Sequence, residues 1–203
     1  MASRLRSLLP RALARLLRPT VAADAPVATP VARARDSQRT RLYRAEALAP
    51  RGQEMPRVPR LQRALDEVVG SAWFGERYGS IGTVVVDAGA GNRRATHRQR
   101  LTDGVHILKL PRWARCRRIL LHELAHAVVT HRQPAAAPHG PEFARVLLDL
   151  VGQFQSPEDG AMLADSFRNG RIRVAPPTLD TTRKRPGSQQ RSQAAFAWLD
   201  GSS

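Results

Sequence analysis

Hydrophobic residues recur at steps of three and four in two parts of the chain, which is the spacing of a helix face. The first part predicts an amphipathic helix over 59–74, and a shorter helix over 40–48 precedes it. The second predicts a helix over 112–133, where glycine and proline are absent and Pro111 suits a first helical position. Two long helices therefore frame the middle of the chain.

The residues between these helices have an extended pattern. A β-branched run over 81–86 predicts a strand, the turn-rich segment 89–92 ends it, and 94–98 can be its hairpin partner. A third strand is predicted over 105–110, and its first four residues are our candidate for the sheet edge that accepts a peptide by main-chain pairing. The sequence thus predicts three short strands ahead of the second long helix.

Two further helices are predicted downstream, over 141–153 and over 158–167. Pro157 opens the latter, and Asn169-Gly170 ends it. With the strands, they indicate an α+β fold with a three-stranded sheet packed on the central helix and flanked by helices. We expect one folded domain over 35–174, a basic N-terminal extension over 1–34 that is disordered or amphipathic, and a disordered tail over 175–203.

The central helix carries His122-Glu123-Leu124-Ala125-His126. Histidines four residues apart share one helix face, so both imidazoles can reach one metal ion while Glu123 stays free for acid–base chemistry. A core helix whose histidines only form hydrogen bonds is the simpler alternative. Because the motif lies on a helix with apolar surface around both histidines, we favour the metal site.

A catalytic zinc ion takes three protein ligands and leaves a fourth position for water. His139 is the favoured third ligand, because the Pro/Ala-rich loop 133–138 can turn the chain back before the next helix. His131 and Glu142 remain alternatives, and helix-terminal charge explains both of them without a metal. The predicted site is one zinc ion on His122, His126 and His139.

The pairing of HELAH with His139-Gly140-Pro141-Glu142-Phe143 resembles the SprT-like (Spartan-type) zinc metallopeptidases, whose HExxH motif precedes a histidine in an HGxxF-type sequence. The longer span 35–174 also resembles a small family of metallohydrolases found mainly in actinobacteria. The resemblance implies a zincin-like fold, zinc on His122, His126 and His139, and Glu123 as the general base. It does not supply a substrate.

The chemistry of these residues favours hydrolysis of a peptide bond by zinc-activated water, with Glu123 taking and returning a proton. A second group that stabilises the oxyanion is expected, and the candidates are His131, His97, Tyr78 and Arg145. Asp149 is a candidate to orient a ligand histidine, although an exposed helix position explains it more simply. The alternative function is a catalytically idle, zinc-stabilised domain that binds protein or nucleic acid.

Composition limits the remaining choices. A single cysteine, Cys116, excludes an internal disulfide framework and a cysteine-rich zinc module, and we expect it to serve packing. The formal net charge of +16 is spread along the chain and favours anionic partners, including nucleic acid bound without sequence specificity, while few aromatic residues are present for base stacking.

Arginines interrupt the leucines of the first 18 residues, so we expect no transmembrane segment or secretory signal there. We expect a cytoplasmic protein with a protein or peptide substrate. The alternative is a protein that its Arg/Leu-rich N-terminus targets to an organelle as a transit peptide.

Overall fold

A computed structural model of the protein describes residues 34–91 and 93–177. These ranges contain α1 (Arg39–Glu46), α2 (Val58–Val69), α3 (Ala72–Tyr78), β1 (Val84–Asp87), β2 (Thr96–Gln99), β3 (His106–Lys109), a 3-10 turn (Arg112–Ala114), α4 (Arg117–Arg132), α5 (Pro141–Phe154) and α6 (Pro157–Asn169). The expected N-terminal extension over 1–34 and the expected tail over 175–203 lie outside these ranges except for residues 34 and 175–177, and the expected domain limits stay a prediction.

Helix α4, which carries HELAH, lies at the centre of the structure. It packs against α5, β2 and β3, and Leu120, Leu121, Leu124 and Val128 have no exposed surface. A helix that is apolar on several sides is one that other elements enclose. The two histidines of the motif therefore lie on a rigid element of the core.

The start of α4 differs from the sequence prediction. Pro111 is not its first residue, because a 3-10 turn follows Pro111 and the α-helix begins at Arg117. The backbone N–H groups of Arg117 and Arg118 donate to the carbonyls of Gln53 and Arg51, at 2.9 and 3.1 Å. A segment that lies 64 to 67 residues earlier in the sequence thus satisfies the helix terminus, in place of a local cap.

The sheet has the order β1-β3-β2, so β3 is the central strand and our expectation that it forms an edge was wrong. β1 runs parallel to β3, with Val84 opposite His106, and β2 runs antiparallel to β3, with Gln99 opposite His106. The predicted hairpin partner of β1 therefore pairs with β3 instead. Within the described residues, β2 is an edge strand, and it packs on α4.

The predicted long helix over 59–74 is two helices that break at Gly70 and Ser71. The Ser71 hydroxyl accepts a hydrogen bond from the Phe74 backbone N–H and caps α3. The apolar period continues across the break because Phe74 and Tyr78 of α3 also face the core. Hydrophobic spacing alone therefore predicts one helix, whereas the Ser71 cap separates two.

Helices α5 and α6 agree with the sequence prediction. Pro141 and Pro157 occupy first-turn positions, and the Ser156 hydroxyl caps α6 by accepting from the Asp159 backbone N–H at 3.0 Å. The two helices come into close contact at Gly152 and Gly160. A Cβ atom at Gly160 would lie 2.6 Å from the Gly152 Cα.

The α+β fold with a three-stranded sheet on the HELAH helix is confirmed. Of the helices in the described ranges, none is both long enough and apolar enough to cross a membrane.

We predict that Gly160→Ala lowers the free energy of unfolding by about 1–3 kcal/mol, because the methyl group meets backbone that cannot move aside cheaply. Gly75→Ala is the matched control: Gly75 is an exposed interior residue of α3, and no heavy atom lies within 4 Å of an added Cβ. That control should raise stability by about 0.5–1 kcal/mol through helix propensity. Denaturant unfolding measures both, and equal effects of the two substitutions would contradict the close α5–α6 contact.

Candidate metal centre

Three histidines converge beside α4. His122 and His126 lie on successive turns of α4, and His139 comes from the loop that leads into α5. One ligand atom from each residue lies within 4.8 Å of the other two. The structure therefore brings together the three histidines named from the sequence, in an arrangement that could hold a metal ion.

Carboxylates orient two of these rings. The Nδ1 atom of His122 lies 2.9 Å from Glu46 Oε1, and the Nδ1 atom of His139 lies 2.8 Å from Asp36 Oδ2. Since a carboxylate accepts, each Nδ1 carries the proton and each Nε2 keeps its lone pair for a metal. Carboxylate–histidine pairs of this kind are usual around protein metal sites, so the donor set fits a bound metal ion.

Phe143 fixes the spacing of the three rings. Its ring centroid lies 4.9 Å from that of His122, 4.4 Å from that of His126 and 5.1 Å from that of His139. Phe143 is fully buried in the first turn of α5. The phenylalanine of the His139-to-Phe143 segment thus packs against all three histidines and holds the loop histidine close to α4.

Tyr43 of α1 is a site residue that the sequence reasoning missed. Its hydroxyl lies 3.0 Å from His139 Nε2, the atom that is available to a metal. Its ring stacks on His122 at 5.8 Å and meets His139 edge to face at 4.9 Å. Tyr43 lies far before HELAH in the chain, and no local motif marks it. Only the packing of α1 places it at the centre.

Glu123 lies next to the three histidines and is 4 % exposed. Its Oε2 atom is buried and has no hydrogen-bond partner among the described residues. Burial raises the pKa of Glu123 to about 6, and the charge of Glu46 adds to this shift while His122 opposes it. A buried carboxylate with a free oxygen and a pKa close to neutral suits a group that accepts and returns a proton.

The pKa values of the ring nitrogens differ between the two carboxylate-paired histidines. Burial alone would lower the pKa of His122, but the charge and hydrogen bond of Glu46 outweigh it and raise the pKa. Burial lowers the pKa of His139 in spite of its hydrogen bond with Asp36. A metal binds only the neutral imidazole, so the raised pKa of His122 makes metal binding more sensitive to low pH at this residue than at His139.

A cavity of about 250 Å³ opens over the site, and we call it the catalytic cleft. Its wall includes Glu123, His126, His139 and Tyr43, and residues 94–97 form the opposite side. Residues 96 and 97 belong to β2, so the edge strand of the sheet borders the cleft. The ring centroid of His97 lies 6.5 Å from that of His126, so this strand reaches the histidine cluster.

The alternative ligands lie elsewhere. His131, in the last turn of α4, approaches the ring of His106 at 6.1 Å between centroids and is not part of the three-histidine cluster. Glu142 lines a separate cavity with Tyr78 and Arg145. His106 is a fully buried strand residue, as expected, and its Nδ1 lies 2.8 Å from His97 Nε2.

Asp149 does not orient a ligand histidine, and it is not an exposed helix residue either. Its Oδ2 accepts two hydrogen bonds from Arg77, at 2.7 and 3.0 Å, and a longer one from Tyr78 at 3.4 Å. Arg145 approaches the other carboxylate oxygen at 3.5 Å. This network ties α3 to α5, so Tyr78 and Arg145 hold the fold together, and of the oxyanion candidates only His97 lines the catalytic cleft.

Comparison with known proteins agrees with this geometry. The model of the SprT-like family matches residues 52–160, which is more than half of the chain and includes HELAH, His139 and all three strands. No curated protein and no solved structure gives a significant match to the chain. The matched region begins after α1, so Asp36, Tyr43 and Glu46 lie outside it. By the extent of this match, the chain belongs to the SprT-like family.

Proposed function

We propose that the protein is a zinc-dependent metallopeptidase that holds one zinc ion on His122, His126 and His139. The observation that carries this proposal is the position of Glu123 beside the histidine cluster. One oxygen of its buried carboxylate has no partner among the described residues, and Glu123 lines the same cleft as two of the histidines. A domain that used zinc only for stability would have no need for such an acid, because burying an unpaired carboxylate costs free energy.

A bound zinc ion would supply Lewis acidity, lowering the pKa of water to about 7 and polarising a carbonyl oxygen. Glu123 takes the proton of the attacking water and then delivers it to the leaving amine. Glu46 and Asp36 keep His122 and His139 in the tautomer that presents Nε2. The three histidines would thus hold the metal, and the glutamate moves the proton.

We assign to Tyr43 the stabilisation of the oxyanion. Its hydroxyl is 3.0 Å from His139 Nε2 and lies on the wall of the catalytic cleft. A hydroxyl there can donate a hydrogen bond to the oxygen that gains charge as the amide carbonyl is attacked. Tyr43 is better placed for this than His97, because the partner of the Tyr43 hydroxyl is a proposed zinc ligand, whereas His97 Nε2 lies 2.8 Å from His106 Nδ1, outside the histidine cluster.

The substrate in this proposal is an extended peptide. β2 borders the catalytic cleft and is an edge strand of the sheet within the described residues. An extended chain can pair with such an edge through main-chain hydrogen bonds, which bring its carbonyl groups close to Glu123 whatever the side chains are. The pairing strand is β2, in place of the β3 edge that we expected from the sequence.

We predict that Glu123→Gln keeps one zinc ion per chain and loses cleavage of an unfolded protein substrate by at least about 10²-fold, because the amide cannot accept a proton. Zinc content by elemental analysis and a gel-based cleavage assay measure the two properties. Cleavage equal to that of the parent would reject Glu123 as the base. Absence of cleavage by the zinc-loaded parent, across a proteome-derived peptide library, would favour the idle binding domain.

For the third ligand, we predict that His139→Ala lowers the zinc content well below one ion per chain, since two imidazoles hold zinc much more weakly than three. His131→Ala is the matched control, because His131 is a histidine of α4 outside the cluster. It should keep its zinc. Full occupancy and full activity of His139→Ala would remove His139 from the site, and circular dichroism of both variants checks that they fold.

For the oxyanion, Tyr43→Phe should keep both ring contacts and the bound zinc while lowering kcat by about 10²-fold, which is typical when one oxyanion donor is lost. The KM should change little, because the hydroxyl acts mainly in the transition state. Steady-state kinetics on a fluorogenic peptide separates these parameters. An unchanged kcat would assign the role to another group.

A further inference from the structure

A second and larger cavity adjoins the catalytic cleft. It has a volume of about 730 Å³, and Tyr43, Arg94, Ala95 and Glu123 line both spaces. It extends from these shared residues along α1 and the first turn of α4, to Trp113. A chain lying across Glu123 would therefore enter this cavity on one side of the bond that is cut.

Arginines dominate the charge of this cavity, which we call the arginine pocket. Five line it, against two carboxylates, namely those of Glu46 and Glu123; the arginines are Arg39, Arg44, Arg51, Arg94 and Arg118. Glu46 already pairs with His122, and Arg51 pairs with Glu54. Among the described residues, the other four arginines have no carboxylate oxygen within 4.0 Å. The pocket thus carries an uncompensated positive charge.

Arg118 shows that this charge extends into the protein. It is only 8 % exposed, its Nη1 donates to the Ala49 carbonyl at 2.8 Å, and its Nε is buried without a hydrogen-bond partner. Buried guanidinium nitrogens are nearly always hydrogen-bonded in folded proteins. Arg118 lines the pocket, and a carboxylate of a ligand would suit its incompletely paired guanidinium, because carboxylates match the guanidinium geometry well.

Part of the remaining wall of the pocket is apolar. It includes Ala47, Ile119 and Trp113, and Trp113 is 54 % exposed at this position. Apolar surface beside a guanidinium suits a side chain with a short methylene stem and a carboxylate end. Single-stranded nucleic acid is held by successive aromatic platforms along a groove, whereas the aromatic side chains that line the pocket are Trp113 and Tyr43, and Tyr43 lies where the pocket meets the catalytic cleft.

We propose that the arginine pocket is a specificity subsite that binds Asp or Glu side chains of the substrate on one side of the cleaved bond. The inference rests on the proposed peptidase function, because it treats the pocket as a continuation of the catalytic cleft. It adds a substrate class to that function: protein segments rich in acidic residues. The ligand of the pocket is a peptide, because the substrate chain that crosses Glu123 would continue into the pocket.

Binding in the zinc-loaded full chain with Glu123→Gln tests the subsite without cleavage. Fluorescence anisotropy compares a labelled peptide that contains several glutamates with the same peptide carrying glutamines. We expect the glutamate peptide to bind at least about tenfold more tightly, and Arg44→Glu to remove most of that preference. Arg41→Glu is the matched control, because Arg41 is exposed on the same helix and is not in the lining of the pocket. It changes the net charge equally and should leave the preference in place.

Equal binding of the two peptides, or an equal effect of the two substitutions, would overturn the subsite. A single-stranded oligonucleotide serves as competitor: if Arg44→Glu weakened its binding as much as peptide binding and Arg41→Glu did not, the pocket would be a nucleic-acid site instead. Cleavage of both peptides by the zinc-loaded parent is scored separately. A binding preference without any cleavage would support the acidic subsite and reject the peptidase function. Cleavage without a binding preference would support the peptidase function and reject the acidic subsite.

Discussion

Three imidazoles and a carboxylate lie on or against the apolar core of this protein, and their polar atoms must be satisfied. Leaving a buried donor or acceptor without a partner costs about 1–3 kcal/mol. Glu46 and Asp36 meet this requirement for His122 and His139. The rest of the site depends on these two hydrogen bonds, because they set the ring orientation from which the other contacts follow.

These carboxylates are held by a chain of contacts that reaches the end of the described structure. α1 carries Glu46 and packs on α6. Gln38, just before α1, is buried, and its side chain exchanges two hydrogen bonds of 3.0 Å with the backbone of Arg173. The segment after α6 thus anchors the segment that bears Asp36. The geometry at the centre therefore depends on both ends of the described chain.

The same arrangement explains how the site can be buried and still accessible. Phe143 closes the three histidines from the side of α5, while β2 and α1 stand apart and leave the catalytic cleft between them. Glu123 faces this opening and, beyond it, the arginine pocket. Tyr43 lies where the two cavities meet, so α1 contributes to ring orientation, to the proposed oxyanion contact and to the proposed subsite.

The errors in the predicted fold have a common physical origin. The helix over 59–74 was drawn too long because core-facing residues continue in period across the Ser71 cap. The start of α4 was placed too early because its first N–H groups bond to residues 51 and 53 instead of to a local cap. The sequence does not predict that β3 is central, because strand order depends on long-range pairing: β1 pairs directly with β3, although β2 lies between them along the chain. In contrast, α5 and α6 followed their local proline, serine and glycine signals closely.

The sequence by itself determined the local part of the centre: a helix whose four-residue histidine spacing puts His122 and His126 on one face, and a short loop that can return His139 to it. Only the tertiary structure decided which groups complete it. Each of these groups is far in sequence from the histidine that it contacts. Glu46 is 76 residues from His122, and Tyr43 and Asp36 are 96 and 103 residues from His139. Helical spacing follows from backbone geometry and can be read along the chain, whereas a hydrogen bond between distant segments depends on how the whole core packs and leaves no local pattern.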